Sequence, residues 1–162
     1  MKQDSPNQSL IAFTFEGLSY SKNYAWSRSG LGTSTVHIDG TRPGSLELFD
    51  CGTWCEMGGK PMHQFSTRFL FTRLDTTSIE VSKQGPQGWI RLTKLIYRPA
   101  CGSWESEQPH YCGRDVYEAE VALDPTTQLR ISWKVRGPKK DYRTSTRYAA
   151  NPTLLDWFFK PQ

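Results

Sequence analysis

The chain has 162 residues, a net charge of +4 and an aromatic-rich composition, with six Trp, seven Tyr and eight Phe. This length suits one domain with its own hydrophobic core. The aromatic residues, together with abundant Thr, Ser, Gly and Pro, favour strands and turns over helices. No apolar run approaches the ~18 residues of a membrane-spanning helix, so no membrane span is predicted.

The N-terminal segment, residues 1–9, is polar and is predicted to be flexible. It lacks the apolar core of a secretory signal. Four cysteines in two close pairs nevertheless favour an oxidising compartment. We therefore expect a secreted, extracellular protein whose leader has been removed.

Residues 10–136 are predicted to form a β domain, because apolar and polar side chains alternate with a period of two. Residues 27–32 and 51–61 have the composition of loops. Because closure leaves no exposed edge, we predict an all-β antiparallel meander of about eight strands forming a β-barrel rather than a β-sandwich. The predicted strands are 11–16, 33–39, 46–50, 65–74, 79–82, 89–97, 115–123 and 129–136.

The C-terminal segment, residues 137–162, is predicted to be a basic linker followed by an apolar segment that docks on the β domain. From Arg130 onward the chain has eight Lys or Arg against two Asp. The apolar run Leu154–Phe159 is too hydrophobic for a free tail, and we expect it to dock as a helical turn.

Each close pair of cysteines is predicted to form a local disulfide, Cys51 with Cys55 and Cys101 with Cys112. In the chain-entropy model, disulfides that close loops of these lengths would stabilise the fold by about 2 and 3 kcal/mol. Free thiols and a zinc site are the alternatives. A zinc site would need His110 as a ligand, since the second pair has poor zinc spacing. We predict no metal and no cofactor.

The order of strands and cysteine pairs resembles that of the Alternaria major allergen family of small fungal secreted proteins. The resemblance covers about residues 11–123 and includes the strand Cys112-Gly-Arg-Asp-Val-Tyr-Glu-Ala-Glu-Val that follows the second cysteine pair. It implies a β-barrel with two local disulfides, secretion, and a role between fungus and host. That family includes elicitors and proteins that bind plant defence proteins or phenolic ligands.

A catalytic site is not evident, although one set of residues is typical of small ribonucleases. Such enzymes combine His, Glu and Arg for acid–base chemistry, and His37, His110, Glu47 and Arg91 could supply that set. Since several Glu and Arg are available to match it, we favour a protein without enzymatic activity.

Trp54 and Trp104 lie within the two cysteine loops, where an aromatic side chain is less readily buried. Exposed loop aromatics often anchor a partner, so both are candidate partner-binding residues; the alternative is that each folds back over the core. Arg130, Lys134 and Arg136 share one face of a predicted strand and could bind a polyanion.

Three functions are compatible with these features. The first is an effector-like or elicitor-like interaction protein that binds a host protein or a cell-surface component. The second is a carrier of a small apolar ligand inside the barrel. The third is a small secreted ribonuclease or hydrolase.

Overall fold

Eleven strands and one helix make up the described part of the chain in the computed structural model, which covers residues 8–21, 24–56, 59 and 61–160. Most of residues 1–9, predicted to be flexible, lie outside these ranges. The elements are β1 (Gln8–Ser21), β2 (Tyr24–Ile38), β3 (Ser45–Glu56), β4 (Met62–Asp75), β5 (Ser78–Gly85), β6 (Gly88–Arg98), β7 (Ser103–Ser106), β8 (His110–Cys112), β9 (Asp115–Leu123), β10 (Leu129–Gly137), β11 (Lys140–Tyr148) and α1 (Pro152–Phe159).

Ten of these strands close into an antiparallel barrel. The order around the sheet is β10-β11-β1-β2-β3-β4-β5-β6-β7-β9, and the pairing of β9 with β10 completes the ring. The short β8 pairs with the part of β9 that β7 does not reach. The all-β barrel is therefore confirmed, with more strands than the eight predicted.

The predicted basic linker is a barrel strand. Residues Lys140–Tyr148 form β11, which pairs with β10 on one side and with β1 on the other. The predicted domain boundary at residue 137 is therefore wrong. Alternation of Tyr142, Thr144, Thr146 and Tyr148 makes one face of this segment suitable for a barrel interior, although its charges suggested a linker.

Two segments predicted to be loops are also strands. Residues 27–32 belong to β2 and residues 51–56 to β3. Their glycines interrupt the alternation of apolar and polar residues, so the strands were not recognised. These glycines have a packing role, since Gly32 of β2 lies opposite Gly52 of β3. A Cβ at Gly32 would overlap the Cys51 carbonyl oxygen and lie 2.7 Å from both Gly52 Cα and Phe13 Cζ. Glycine thus lets the two strands and the Phe13 ring approach closely.

Helix α1 closes one end of the barrel. Asn151 caps it by accepting a hydrogen bond from the Leu154 amide at 3.0 Å. Leu154, Trp157 and Phe158 are buried against the core. The Trp104 indole donates a hydrogen bond to the Phe158 carbonyl oxygen at 3.0 Å, which fixes the helix on the barrel end. The predicted docked C-terminal segment is confirmed.

All four cysteines are free thiols, so the predicted disulfides are absent. Cys51 and Cys55 lie on one extended strand, β3, four residues apart. Their Cα atoms are about 13 Å apart at the rise of a strand, whereas a disulfide needs about 7 Å or less. The Cys51–Cys55 prediction is therefore wrong.

The Cys101–Cys112 prediction fails for a reason of register. Cys112 lies opposite Asp115 on β9, whereas Trp104, which follows Cys101, lies opposite Val121. Six residue steps of β9 separate these levels, which is about 20 Å. The close spacing of the two cysteines suggested that they meet at the base of one hairpin loop. In the structure, β7 and β8 pair with different parts of β9, which keeps them apart.

We expect Gly32→Ala to destabilise the barrel by about 1–3 kcal/mol, the usual cost of forcing extra volume into a packed region. Thr33→Ala is the matched control, because Thr33 is the exposed neighbour on the same strand, and it should cost less than about 1 kcal/mol. Urea unfolding measures both free energies. Equal effects of the two substitutions would contradict the packing role of Gly32.

We expect four reactive thiols in the purified, unreduced protein under denaturing conditions. In the folded protein the exposed Cys101 and Cys112 should react with a thiol reagent before the half-buried Cys51 and Cys55. Thiol titration with intact-mass analysis measures both. A mass four hydrogens below that of the reduced chain would contradict this arrangement.

Candidate ligand-binding site

The barrel encloses a cavity at the end opposite α1. Its volume is about 260 Å³, and residues from seven strands line it. Helix α1 packs on the other end through its buried Leu154, Trp157 and Phe158. The lining residues are Phe15, Arg28, Asp50, Trp54, Phe65, Thr67, Phe69, Lys83, Ile131, Trp133, Thr144, Thr146 and Tyr148.

Aromatic rings form the wall of this cavity. The Phe69 and Trp133 rings stack with their centroids 6.1 Å apart, and the Phe15 and Phe65 rings lie 6.2 Å apart. These side chains come from three strands, β1, β4 and β10, and each occupies the inward position of its strand alternation. The wall thus offers flat apolar surfaces held by a rigid sheet.

The floor of the cavity is polar and buried. The Tyr148 hydroxyl donates a hydrogen bond to Asp50 Oδ2 at 2.6 Å, and Asp50 is only 4% exposed. Burial raises the pKa of Asp50 and outweighs the lowering effects of Tyr148 and Ser34. Burial and the nearby Asp50 carboxylate raise the pKa of Tyr148 well above its ordinary value.

Arg28 lies at the mouth between two indole rings. Its guanidinium carbon is 4.2 Å from the ring centroid of Trp26 and 4.3 Å from that of Trp54. Trp54 in turn stacks on His63, with centroids 4.2 Å apart and an interplanar angle of 21°. Neighbouring strands β2, β3 and β4 therefore place a continuous stack of flat groups along the mouth.

A second cavity of about 320 Å³ adjoins the first and shares Phe15, Arg28 and Thr144 with it. Trp26 and Tyr142, whose ring centroids are 5.6 Å apart, contribute to its lining. A Cβ at Gly17 would lie 2.8 Å from Trp26 Cζ3, so this glycine makes room for the indole.

Lys140 lines the second cavity as part of a polar group. It donates to Asp115 Oδ2 at 2.5 Å and to the Tyr117 hydroxyl at 3.1 Å. The hydrogen bonds to Asp115 and Tyr117 raise the pKa of Lys140, so it stays a cation at neutral pH. Its charge is compensated by Asp115.

The two tryptophans predicted to contact a partner have different places. Trp54 lies on β3 and lines the cavity mouth. Trp104 lies on β7, is 2% exposed and packs 5.1 Å from the ring of Tyr97. The prediction that Trp104 is an exposed contact residue is therefore wrong, because β7 turns it into the core beneath α1.

The four catalytic candidates do not form one site. His37 and Glu47 lie opposite each other on β2 and β3, and Glu47 forms an ion pair with Arg68 Nε at 3.0 Å. Arg91 forms an ion pair with Glu80, and His110 lies on β8 opposite Tyr117. Within the described ranges, no group of three His, Cys, Asp or Glu could hold a metal ion.

The predicted basic face of β10 is largely neutralised by β9. Arg130 forms an ion pair with Glu120 at 3.3 Å, and Arg136 forms one with Glu118 at 2.8 Å. Lys134 lies opposite Glu118 in the register of the two strands. Polyanion binding by these residues stays a prediction.

A shallow depression of about 720 Å³ lies over the outer face of β1, β7, β9, β10 and β11, and its charges balance. The acidic residues that line it are Glu16, Glu105, Glu118 and Glu120, and the basic ones are Arg130, Lys134, Arg143 and Arg147. Since four charges of each sign meet there, this outer surface has little net charge to attract an ion. The enclosed aromatic cavity is the better candidate site.

Sequence reasoning missed Arg28, Asp50 and Tyr148. A signal for Asp50 was present, because Leu46, Leu48 and Asp50 occupy alternate positions and an acid in such an apolar series is unusual. Arg28 and Tyr148 lay in segments interpreted as a loop and a linker, so their inward direction could not be inferred.

One family model matches residues 27–150, which is more than half of the chain. The chain belongs to this family, described as a family of unknown function (DUF6314). No curated protein matches the sequence significantly.

A solved structure shares the fold of this family member. The S-type phycobiliprotein lyase CPES from Guillardia theta is similar with a TM-score of 0.54 over 86% of each chain, at 7% sequence identity. This likeness shows a common barrel architecture and nothing about individual residues. Among the described residues, no helix is long and apolar enough to cross a membrane.

We expect Asp50→Asn to change the pH dependence of stability with a defined sign. Burial raises the folded-state pKa of Asp50 above its ordinary value of 3.8. The stabilisation from protonated Asp50 is therefore fully present below about pH 3.8 and is lost as the pH rises through the folded-state pKa. The free energy of unfolding of wild type minus that of Asp50→Asn should fall from pH 3.5 to pH 7.

Asp75→Asn is the contrasting control for that measurement. Hydrogen bonds from Ser78 and Thr77 lower the pKa of Asp75 to about 2, so its contribution is present above the ordinary value and is lost as the pH falls toward 2. The free energy of unfolding of wild type minus that of Asp75→Asn should therefore rise from pH 2 to pH 4. Urea unfolding measures both differences. If the difference between wild type and Asp50→Asn does not change from pH 3.5 to pH 7, the raised pKa of a buried Asp50 is contradicted.

Proposed function

We propose that this protein is a carrier of a small apolar ligand, bound inside the barrel at the end opposite α1. The observation that supports it is the aromatic-walled interior cavity, with Phe15, Phe65, Phe69 and Trp133 on its wall. Enclosed apolar cavities with a few polar groups are the usual form of small-molecule sites.

The size and chemistry of the site fit such a ligand. The two adjoining cavities of about 260 and 320 Å³ meet at Phe15, Arg28 and Thr144. Small-molecule sites usually have volumes of roughly 300–1,000 Å³. Burying a flat apolar molecule there would gain about 25 cal/mol for each Å² of apolar surface removed from water.

The aromatic wall residues lie on the strands of the barrel, so a ligand would bind to a preformed surface. The wall residues lie on paired strands and contact one another, as the stacked pair Phe69 and Trp133 does. A ligand therefore meets side chains that are already ordered, and little conformational entropy is lost on binding. The likeness to a phycobiliprotein lyase agrees with this barrel as a scaffold for a functional site, and at 7% identity it does not extend to the ligand.

Secretion, a host partner and an effector-like role stay predictions. Of the two tryptophans on which the interaction hypothesis depended, Trp104 is buried in the core. Trp54 lines the cavity mouth, a position that serves a ligand as well as a partner. The ligand-carrier hypothesis therefore takes precedence over the effector and hydrolase hypotheses.

We expect the neutral fluorescent probe N-phenyl-1-naphthylamine to bind in the cavity with a rise in its emission. Thr67→Phe should lower its affinity at least tenfold, about 1.4 kcal/mol, because Thr67 lines the cavity and a phenyl ring would fill that space. Ser66→Phe adds the same ring at the exposed neighbouring position of β4 and should leave the affinity within about twofold.

Circular dichroism and urea unfolding would establish that both variants are folded. Absence of probe binding to the wild-type protein would overturn the proposed function. Equal affinities of Thr67→Phe and Ser66→Phe would show that the probe binds elsewhere, and would overturn the location of the site.

A further inference from the structure

Arg28 is the cation at the centre of the site. It lines both cavities, and its side chain is 27% exposed. Trp26 covers one region of the guanidinium and Trp54 another, each with its ring centroid less than 4.5 Å from Cζ. The indoles restrain the plane of the guanidinium, and hydrogen bonds to a planar group are made at its edge.

The donors of Arg28 are incompletely used by the protein. Its ion pair with Glu56 joins Nη2 to Oε1 at 3.4 Å, longer than the 2.7–2.9 Å that is typical of charge-assisted hydrogen bonds. Arg28 Nε is buried and has no hydrogen-bond partner in the described part of the chain. A buried donor without a partner is costly, and an acceptor on a ligand would remove that cost.

The other charges that line the two cavities add to the positive potential. Lys83 lines the first cavity and Lys139 the second. Lys140 is compensated by Asp115, and Asp50 lies on the floor with its Oδ2 occupied by Tyr148. The mouth is therefore cationic, whereas the wall is aromatic.

We propose that the ligand is an aromatic acid whose anionic group binds Arg28 while its ring lies against the aromatic wall. This inference rests on the proposed function and deepens it by naming the class of ligand. A carboxylate matches the edge of a guanidinium, since its two oxygens accept two parallel hydrogen bonds. The stacked indoles hold that edge ready before the ligand arrives.

Two compounds of nearly equal shape test this assignment. In 1-naphthoate a carboxylate is attached to naphthalene, and in 1-naphthamide a neutral amide takes its place. Each would displace N-phenyl-1-naphthylamine, the neutral probe, from the wild-type protein. We expect 1-naphthoate to displace it at a concentration at least tenfold lower than 1-naphthamide at pH 7.

Arg28→Met keeps an apolar stem between the two indoles and removes the charge. We expect this variant to lose the preference for 1-naphthoate over 1-naphthamide. The preference is a ratio of two displacement concentrations, so it is read on the variant itself whatever its affinity for the neutral probe. Arg91→Met is the matched control, because Arg91 is an exposed arginine that pairs with Glu80 on the sheet. It should retain the tenfold preference.

The outcomes separate the two proposals. If the neutral probe does not bind to wild type, the carrier function itself fails. If the probe binds but both compounds displace it equally, the carrier function stands and the aromatic acid is overturned; this comparison needs no variant to fold. If Arg28→Met keeps the preference, another cation recognises the anion and the assignment to Arg28 is overturned.

Discussion

Closure of the sheet through β11 is the constraint on which the rest of the structure depends. This strand pairs with β10, its neighbour in the chain, and with β1, more than a hundred residues earlier. Without it, β1 and β10 would each present an unpaired edge, and their inward residues would face water. Because the ring is complete, Phe15, Trp133 and Tyr148 face one another across an interior instead of lying on separate surfaces.

The two ends of that interior differ because only one has a plug. At the α1 end, Trp157 and Phe158 pack edge-on against Phe71, and Trp104 anchors the helix by its indole. At the opposite end the inward side chains are equally aromatic, but no segment of the described chain fills the space between them. A barrel of ten strands is wide enough to leave a cavity when its interior is not filled by side chains. The asymmetry between the ends therefore locates the candidate site.

The cavity contains polar and charged groups at inward positions that an ordinary hydrophobic core would fill with apolar side chains. Asp50 is buried with a single strong hydrogen bond from Tyr148, and Arg28 is restrained between two indoles with an unused donor. Apolar side chains at these positions would give a more stable barrel, since burying charged groups is costly. Groups that cost stability and line a cavity are typical of a binding site. Lys140, by contrast, is compensated by Asp115 and contributes mainly to structure.

Local patterns in the sequence determined the strands and the direction of many side chains. The alternation of Leu129, Ile131, Trp133 and Val135 predicted β10, and the apolar run after Asn151 predicted a docked segment. The alternation failed where glycines interrupted it, as at Gly32, because a glycine has no side chain to mark a face. Charge also made β11 hard to recognise, because its outward Arg143 and Arg147 suggested a linker although tyrosines and threonines alternate with them.

Only the tertiary structure decided what each face meets. Cys51 and Cys55 are close in sequence yet distant along a strand, whereas Arg28, Trp54 and His63 are distant in sequence and stacked across three neighbouring strands. A period of two states which residues share a face, but register and closure bring together strands that the sequence separates. The sequence by itself therefore determined an all-β chain and most of its strands. The cavity, its cationic mouth and its buried acid exist only because the barrel closes.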